Sequence, residues 1–367
     1  ARGRPGEARA QLAQQGRDGE HAEQVSRGLA NLERMSRAKR FASSCLRPLL
    51  QGTSPEGRIH AGWKWDTSTG RLVSRSPNLQ NLPATGEAGY NVRKAFCAPP
   101  GCVLIRADYA QLELCVLAHV SNCASMVSKL HRGSDFHSEV AAEMFPEIQE
   151  AIQRGEAVIS AQDPRRLGVG GEEPLPTVKE RFPVLRSQAK AINFGIIYGL
   201  APASLAEDLK IEKEAAKAMM ERWFEAKPGV ARWIAKVKRE GMREQRVLSL
   251  LGRWRNLPLL RRDAEPMYRN RSERAAVNFG IQGSAADIVT AAMLRLWKDA
   301  CLQEFGFRLV MQVHDEFVLE GPEGHAQQAL DRTAELMRRP FDLHNADFKF
   351  RVPLVVDARI CRTLGDE

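Results

Sequence analysis

Apolar residues recur along the chain with two spacings, one typical of helices and one typical of strands. A spacing of three or four residues predicts a helix because it places the apolar side chains on one helix face. The segments with this spacing are 25–50, 111–120, 134–144, 185–206, 212–225, 230–243 and 272–300. The last segment predicts one long helix, and a Lys227-Pro228-Gly229 turn separates the two segments before it.

Strand patterns flank the helical segments. Residues 102–107 form a short apolar run that Asp108 ends, residues 308–320 alternate as in a hairpin, and residues 349–357 predict a further strand. The order of strand, helical block and strands predicts an α+β protein whose sheet is split by an inserted helical domain. Within the block, residues 155–183 are rich in Gly, Pro and charge, which predicts a surface insertion.

Composition narrows the classes of protein that fit this pattern. The chain has 367 residues and is 43% hydrophobic, which suffices for a sizeable core. Its seven cysteines include no CxxC pair, which argues against a disulfide framework or a zinc site. No apolar run reaches the roughly 18 residues of a membrane span. A net charge of +9 suits a polyanionic partner. A phosphate-contacting face is predicted from the arginines at 253, 255, 261, 262, 269, 271 and 274.

Two aspartates beside strands are candidate metal ligands. Asp108 follows an apolar strand, and Asp315 lies in the predicted hairpin, where an unpaired carboxylate would be costly. Carboxylate oxygens are the ligands that Mg²⁺ prefers. The alternatives are that Asp108 caps the helix starting near Gln111 and that His314-Asp315-Glu316 is a polar hairpin tip. For Glu316 the interpretations are a solvated neighbour and, secondarily, a metal ligand.

A stripe of cations and aromatics favours the functional interpretation. Arg186, Lys190, Phe194 and Tyr198 are spaced by four and fall within about 120° of one helix face. The cations suit phosphates, and the aromatic rings suit a sugar and a base. Gly195 and Gly199 follow the two aromatics and would let another backbone or a base pair approach closely.

Five separated motifs resemble those of family A DNA polymerases, in the same order along the chain. The motifs are Asp108-Tyr109-Ala110-Gln111-Leu112-Glu113-Leu114, the run from Arg186 to Gly199, Gln312-Val313-His314-Asp315-Glu316, the segment from Thr69 to Leu72 with Pro77 to Asn81, and Arg274 to Asn278 with Gln282-Gly283. The resemblance implies a right-hand fold with an antiparallel palm sheet, an inserted all-helical fingers subdomain and a mostly missing thumb. The implied boundaries are 1–58 for a disordered start and partial thumb, 59–115 for the first palm part, 116–262 for the fingers with an insertion at about 147–183, and 263–367 for the second palm part.

The resemblance also implies roles in chemistry and nucleotide binding. Asp108 and Asp315 would bind two Mg²⁺ ions, together with the backbone carbonyl of Tyr109. Lys190 would be catalytic as a proton donor to pyrophosphate. The residues implied to bind the incoming dNTP are Glu113, as the gate that excludes a ribose 2′-OH, His137, Arg186 and Lys190 at the triphosphate, Phe194 at the sugar and Tyr198 at the nascent base pair. His137, in Asp135-Phe136-His137, has the alternative of an ordinary helix histidine.

A further set of residues is implied to contact primer-template DNA. Its members are Arg71, Asn78, Gln80, Arg274, Asn278, Gln282 and His314, with Arg71, Asn278 and Gln282 at the minor groove, Arg274 at the template and His314 at the primer end. The minor-groove acceptors are common to all correct pairs, so such contacts would check shape and not sequence. The alternative for Asn278 and Gln282 is that they bond each other, because they lie four apart on one helix face.

Departures from the family pattern add further expectations. Cys115 and Ser187 stand where the family commonly has Arg. The insertion and Leu319-Glu320-Gly321-Pro322 look most like organellar polymerases of plants and protists, which implies a mitochondrial or plastid location. The start at Ala1 indicates lost upstream sequence, and a partial thumb would weaken the grip on duplex DNA. Rival hypotheses are a single-subunit RNA polymerase, which Glu113 disfavours, and a catalytically silent DNA-binding module.

Overall fold

The computed structural model describes residues 19–83, 91–161, 163–166, 174–342 and 348–366. Its helices are α1 (Gly19–Phe41), α2 (Arg47–Gln51), α3 (Leu112–Ser121), α4 (Ala124–His131), α5 (Phe136–Met144), α6 (Pro146–Gln153), α7 (Val178–Arg181), α8 (Pro183–Ile197), α9 (Pro202–Leu209), α10 (Lys213–Ala226), α11 (Pro228–Glu244), α12 (Pro266–Lys298), α13 (Ala300–Glu304) and α14 (Ala326–Arg338). Its strands are β1 (Gly62–Lys64), β2 (Val73–Arg75), β3 (Cys102–Tyr109), β4 (Arg246–Leu248), β5 (Trp254–Asn256), β6 (Arg308–Val313), β7 (Glu316–Pro322) and β8 (Val356–Cys361). The predicted α+β class is confirmed.

The central sheet has four strands in the order β6-β7-β3-β8, and every neighbouring pair is antiparallel. Strand β3 is central and arrives before the helices α3 to α12, whereas the other three strands follow them. The helical block is therefore inserted between strands of one sheet, as the sequence pattern predicted. Two short hairpins, β1–β2 and β4–β5, lie outside the sheet.

Alternation along β3 divides the core into two parts. Val103, Ile105 and Ala107 face the large core that the helical block shares, whereas Leu104 faces a smaller core on the other side of the sheet. The smaller core includes Phe41 of α1, so the lead-in helix is anchored to the sheet. By the same alternation, the polar residues at the end of β3 lie on the face of the smaller core.

The predicted helix over 185–206 is wrong in one respect, because it is two helices. Helix α8 ends at Ile197, and Gly199 has a φ of +64°, which an α-helix does not accept. Helix α9 begins with Pro202, so the preceding Ala201 is extended, with φ −78° and ψ 154°. Gly199 and Pro202 were the sequence signals of this break.

The predicted strand at 349–357 is also wrong, because β8 begins only at Val356. The alternating Phe348, Phe350 and Val352 pack on the large core and do not pair with a neighbouring strand. The ring of Phe350 stacks on His119 of α3, with 4.3 Å between ring centroids. Alternation predicted the inward-facing side chains, but only tertiary contacts decide whether the backbone joins a sheet.

Most other expectations differ only at their ends. The helical lead-in is α1, a π-helical stretch at Ala42–Leu46 and α2. The long helix α12 starts six residues before the predicted position 272, at Pro266. Strand β3 runs through Asp108 to Tyr109. Among the described residues, no helix is both long and apolar enough to cross a membrane.

The predicted insertion is pinned at its ends. A parallel bridge joins Val158 to Thr177, with backbone hydrogen bonds from Val158 N to the Pro176 carbonyl (3.0 Å) and from Val178 N to the Val158 carbonyl (2.8 Å). Val158 and Val178 are both fully buried. Helix α6, inside the expected range of 147–183, buries Ile148 completely. Between Val158 and Thr177, none of the described residues is buried in the core.

Candidate active site

A row of three carboxylates crosses the central sheet. Asp108 on β3 is paired in register with Glu316 on β7 and with Asp357 on β8. Residues directly opposite each other on neighbouring strands point to the same face, so the three carboxylates share the face that carries Leu104. Like charges placed this way repel each other, which destabilises the row unless a cation lies nearby.

The row raises the pKa of Asp108. Its side chain is accessible to solvent, yet the surrounding protein removes part of its hydration, and Asp315, Glu316 and Asp357 repel its negative charge. Lost hydration is the largest cause, and together these effects raise the pKa of Asp108 to about 7. Arg106 opposes the shift, but its Nε lies 2.5 Å from Glu316 Oε1, so most of its charge is already paired.

Asp315 lies in the turn between β6 and β7. Its carbonyl accepts a hydrogen bond from the backbone N–H of Tyr109, with 3.3 Å between N and O. His314 before it has a φ of +55°, which allows the tight reversal between the strands. Burial raises the pKa of the Asp315 carboxyl, and Arg71 partly opposes this shift. The fold thus brings Asp315 beside Asp108, although the two are far apart in sequence.

Of the structural alternatives for these aspartates, the helix cap is wrong, and the polar hairpin tip is met only in part. Residue Gln111 occupies the N-cap position of α3, with φ +55°, so Asp108 does not cap that helix. Asp315 is half-buried at the hairpin tip, and Glu316 is paired with Arg106 and is not a solvated neighbour. Tyr109 buries its ring, and its hydroxyl donates to the Met337 carbonyl at 2.7 Å, so only its backbone faces the aspartates.

A buried ion pair lies beside the aspartates. Arg71 Nη2 is 2.5 Å from Glu113 Oε1, and the Glu113 residue is 9% exposed. Glu113 Oε2 is buried without an aligned hydrogen-bond partner in the described protein, although the Tyr198 hydroxyl lies close enough to affect both pKa values. Burial raises the pKa of Glu113, and Arg71 opposes the shift. Arg71, Glu113, His314 and Asp315 line one cleft.

Helix α8 presents its predicted stripe, with one change. Arg186, Lys190 and Phe194 lie in the helix, while Tyr198 is its C-cap and stacks on Phe194 with 6.1 Å between centroids. Lys190 is exposed, and its Nζ is 5.8 Å from the centre of the Phe194 ring. Among the described residues Lys190 has no carboxylate partner within salt-bridge distance, so its charge is available to a ligand.

Arg186 is already held by a carboxylate. Its Nε is 2.7 Å from Asp135 Oδ2, and its Nη2 is 3.0 Å from Asp135 Oδ1. This bidentate pair also lowers the pKa of Asp135, although lost hydration acts in the opposite sense. Asp135 caps α5 by accepting from His137 N. A phosphate that binds Arg186 would therefore compete with Asp135 or share the guanidinium with it.

His137 is buried at the base of this stripe. The residue is 5% exposed, its ring centroid lies 5.8 Å from that of Phe194, and its Nδ1 is 3.0 Å from Asn193 Nδ2. Burial is the main reason why its pKa falls to about 4, so the ring is neutral near pH 7. The structure places His137 beside the α8 cations, and its contact with a triphosphate stays a prediction.

Two of the residues predicted to contact DNA, Asn78 and Gln80, lie in the turn after β2. Asn78 is exposed, and its Oδ1 accepts from Gln80 N. Gln80 uses its amide within the protein, because Nε2 donates to the carbonyls of Leu72 and Gln312 and Oε1 accepts from Ser74 N. A contact between Gln80 and DNA would have to compete with these bonds, whereas the amide nitrogen of Asn78 has no hydrogen-bond partner in the described chain.

Helix α12 carries three further residues that are predicted to contact DNA. Arg274 is exposed and packs its stem against Gly199, where a Cβ would lie 3.3 Å from Arg274 Cγ. The glycine thus lets the end of α8 approach α12. Asn278 and Gln282 are half-buried, and no hydrogen bond joins them in the described chain, so the alternative that they bond each other is not supported.

Arg253, one of the arginines of the predicted phosphate-contacting face, is bound within the protein. Arg253 donates from Nε to Asp287 Oδ1 at 2.6 Å and from Nη2 to the carbonyls of Thr69 and Gly283 at 3.0 and 2.7 Å. Its charge is balanced by a buried carboxylate, so Arg253 braces the protein, and a phosphate would have to compete with these bonds. The cationic spacing in the sequence contained no sign of this partner.

Several residues of the site were missed in the sequence. Asp357 joins the carboxylate row because the last strand extends to Cys361, and Asp135 holds Arg186. Asn193 contacts both His137 and Trp223 within the core. Continued alternation past position 357 was a signal for Asp357, whereas the other contacts join distant segments and had none.

The donor set at the aspartates fits a hard divalent cation. Within the described ranges, no three Asp, Glu, His or Cys side chains are arranged to hold a metal ion. Two carboxylates and a backbone carbonyl are nevertheless the limited protein contribution that Mg²⁺ commonly accepts, with phosphates and water completing its shell. The unbalanced negative charge at Asp108 is the observation that favours a cation there.

Known proteins match nearly the whole chain in sequence. A family model described as DNA polymerase family A matches residues 20–157 and 176–366, and its gap falls inside the segment between Val158 and Thr177. DNA polymerase I B, chloroplastic/mitochondrial, of Arabidopsis thaliana is 39% identical over 346 residues, which cover 93% of this chain and 32% of the relative. DNA polymerase I, thermostable, of Thermus aquaticus is 35% identical over 323 residues, which cover 88% of this chain and 34% of the relative.

A solved structure agrees with these matches. The POL domain of Pol1 from M. smegmatis, in complex with DNA primer-template and dNTP, superposes with a TM-score of 0.72 at 32% identity and covers 87% of this chain and 50% of that one. The matched sequence and fold place this chain in the polymerase class of proteins. The chain belongs to DNA polymerase family A. It spans about a third of the length of the curated relatives it matches.

Proposed function

We propose that this chain is the catalytic core of a template-directed DNA polymerase, which adds dNTPs to the 3′-OH of a primer. The observation that carries the proposal is the position of Asp108 and Asp315. They come from distant segments, lie side by side at the ends of neighbouring strands, and hold negative charge that the described protein does not balance. Membership of family A supports this interpretation.

Asp108, Asp315 and the backbone carbonyl of Tyr109 are proposed to hold two Mg²⁺ ions. When bound, the ions would stabilise charge on the attacking and leaving oxygens of nucleotidyl transfer. The protein contributes the rigid base for that chemistry, because β3 is hydrogen-bonded on both sides in the centre of the sheet.

The nucleotide is proposed to lie against α8. Lys190 is the exposed cation of that face and would contact the triphosphate and donate a proton to the pyrophosphate oxygen. Arg186 and His137 would hold the other phosphate oxygens, and Phe194 would pack on the sugar. Glu113, fixed by Arg71, would occupy the space that a ribose 2′-OH needs, and Tyr198 would guard the nascent pair.

Primer-template DNA is the proposed macromolecular partner. Arg71, Asn278 and Gln282 would contact the minor groove, Arg274 the template and His314 the primer end, while Asn78 and Gln80 would contact DNA from the turn after β2. The solved relative was determined with DNA primer-template and dNTP. The net charge of +9 favours such a partner.

The subdomains and the location are proposals as well. The sheet segments 59–115 and 263–367 would be the palm, 116–262 the fingers and the start of the chain a partial thumb. Relatives include polymerases named as chloroplastic or mitochondrial, which supports a role in replication or repair in mitochondria or plastids.

Primer extension tests the proposal directly. We expect Mg²⁺-dependent extension with dNTPs, little extension with NTPs, and loss of extension by at least about a hundredfold in Asp108→Ala or Asp315→Ala, because each removes a metal ligand. Asp331→Ala, at an exposed position of α14 where the carboxylate accepts from Gln327, is the matched control. DNA binding by gel shift should persist in all variants. Binding without any extension by the wild type would favour a silent DNA-binding module, and preferential NTP use would favour an RNA polymerase.

A further inference from the structure

We propose that Trp223 and Asn193 are positioning residues that hold the His137 ring in the tautomer with its proton on Nε2, so that the ring offers a hydrogen-bond donor to the bound triphosphate. The three residues come from α10, α8 and α5 and form one hydrogen-bonded chain. The inference rests on the proposed nucleotide-binding role of His137 and deepens it.

The first step of the chain fixes the Asn193 amide. Trp223 Nε1 lies 2.7 Å from Asn193 Oδ1, and an indole N–H can only donate. The amide oxygen must therefore face the indole. Trp223 is 1% exposed and Asn193 is fully buried, so no water competes for the amide. This contact removes the ambiguity between oxygen and nitrogen that an isolated amide has.

The second step fixes the imidazole. With its oxygen facing Trp223, Asn193 turns its NH₂ group to His137 Nδ1, at 3.0 Å. The NH₂ group donates, so Nδ1 accepts and carries no proton. A neutral ring then has its proton on Nε2. Burial keeps the ring neutral, because it lowers the His137 pKa to about 4 although the nearby Asp135 carboxylate raises it.

The third step places the donor at the phosphate face. Nε2 has no hydrogen-bond partner in the described chain. It is also not one of the polar atoms that are buried without a partner, so solvent reaches it. The ring lies against Phe194, and Arg186 and Lys190 are near enough to lower its pKa. A donating Nε2–H beside these cations attracts a phosphate oxygen, whereas the opposite tautomer would direct a lone pair at it.

The tautomer is measured in the nucleotide-free protein labelled with ¹⁵N-histidine. Imidazole ¹⁵N shifts distinguish a protonated from an unprotonated ring nitrogen, and His137→Ala identifies the His137 signals among the eight histidines. We expect an unprotonated Nδ1 and a protonated Nε2 at pH 7. A protonated Nδ1 in the wild-type protein would overturn the inference, whatever the enzyme's activity.

Asn193→Asp reverses the direction of the hydrogen bond between residue 193 and His137 Nδ1. A carboxylate accepts from both the indole N–H and the ring, so it places a proton on His137 Nδ1 and favours the opposite tautomer or the charged ring. Trp223→Phe is a second variant that keeps a buried aromatic but frees the amide to turn, so both tautomers should appear. Thermal unfolding of each variant shows whether the fold is retained, and the wild-type spectrum decides the tautomer in either case.

Steady-state kinetics then separate positioning from packing. We expect Asn193→Asp to raise the KM for dNTP about tenfold, in line with a lost hydrogen bond to a charged group, with less effect on kcat. In a His137→Ala background Asn193→Asp should have no further effect on the KM, because the chain of hydrogen bonds from Trp223 through Asn193 acts only through the His137 ring. An equal rise in that background would overturn the inference. If the proton is on Nε2 but His137→Ala leaves the KM unchanged, the proposed triphosphate contact is refuted, whereas the orienting role of Trp223 and Asn193 is retained.

Discussion

At the scale of single residues, the site is defined by negative charge that lacks a partner. Asp108 is flanked by Glu316 and Asp357, and Arg106 is committed to Glu316. A sheet does not normally place like charges opposite each other, because the pair costs stability. Such a cost is typical of functional sites, where a bound cation recovers the energy.

The raised pKa of Asp108 makes stability depend on pH. Between the ordinary value of 3.8 and about 7, the folded protein binds more protons at this group than the unfolded chain does. The slope of unfolding free energy with pH is then negative, so this group destabilises the metal-free fold increasingly up to pH 7 and constantly above it. We expect Asp108→Asn to stabilise the protein in EDTA at pH 8 and much less at pH 5, as measured by urea unfolding. An equal effect at both pH values would contradict the shift.

The Arg71–Glu113 pair gives a prediction about substrate choice. Glu113→Ala removes the carboxylate that we propose to exclude a 2′-OH, so NTP use relative to dNTP use should rise at least about tenfold. Glu113→Gln, which keeps the volume, should retain more of the discrimination. Competitive primer extension with mixed nucleotides measures the ratio. If Glu113→Ala leaves it unchanged, Glu113 is not the gate.

At the scale of elements, the connection between β1 and β2 carries Arg71, and Arg253 braces this connection. Arg253 donates to the Thr69 carbonyl in the connection between the two strands and to Asp287 on α12. Gly70 has a φ of +81°, and the Arg253 guanidinium occupies the space that a Cβ would need. The glycine therefore permits the brace that positions Arg71 next to Glu113.

Two glycines with similar backbones make a matched test of this brace. Gly70→Ala meets both the positive φ and Arg253, whereas Gly57→Ala, at φ +75°, meets nothing within 4 Å. We expect Gly57→Ala to lower the free energy of unfolding by about 1 kcal/mol and Gly70→Ala to lower it by about 2–3 kcal/mol. Urea unfolding of both variants decides. Equal losses would show that Arg253 moves aside without cost.

At the scale of the whole molecule, the helical block is inserted into the sheet, and a further segment is inserted into the block. The backbone hydrogen bonds around Val158 and Thr177 close the base of that segment. Because the ends are already adjacent, chain connectivity across the base does not depend on what lies between them. The match to the family model likewise stops at 157 and resumes at 176.

Shortening this segment tests whether the core works without it. Replacing residues 160–174 by a short Gly/Ser linker should leave thermal stability and dNTP incorporation within a few-fold of the wild type, since the closed base is retained and a short loop costs little entropy. A control deletion of 157–178 removes the buried Val158 and Val178 and should destabilise the fold. Loss of incorporation with unchanged stability in the short deletion would show that the segment serves the site.

Much of the fold could be predicted from local pattern, and the exceptions have physical causes. The β3 strand, the long α12 and the β6–β7 hairpin appear where their periodicity placed them, because one face of each is buried. The prediction of a strand at 349–357 was wrong because Phe348 and Phe350 pack their rings on the core without strand pairing. The partner of Arg253 is about thirty positions away and that of Arg186 about fifty, and no spacing rule links such positions.

The sequence by itself determined the class of fold, the order of its elements, and the residue types that could bind a cation and phosphates. These follow from period and chemistry, which are local properties of a chain. Only the tertiary structure decided that Asp108 and Asp315 lie side by side, that Asp357 joins their row, that Arg253 is a brace, and that Trp223 and Asn193 orient His137. Those outcomes depend on which distant side chains burial brings together, and on whether a buried charge or polar group finds its partner there.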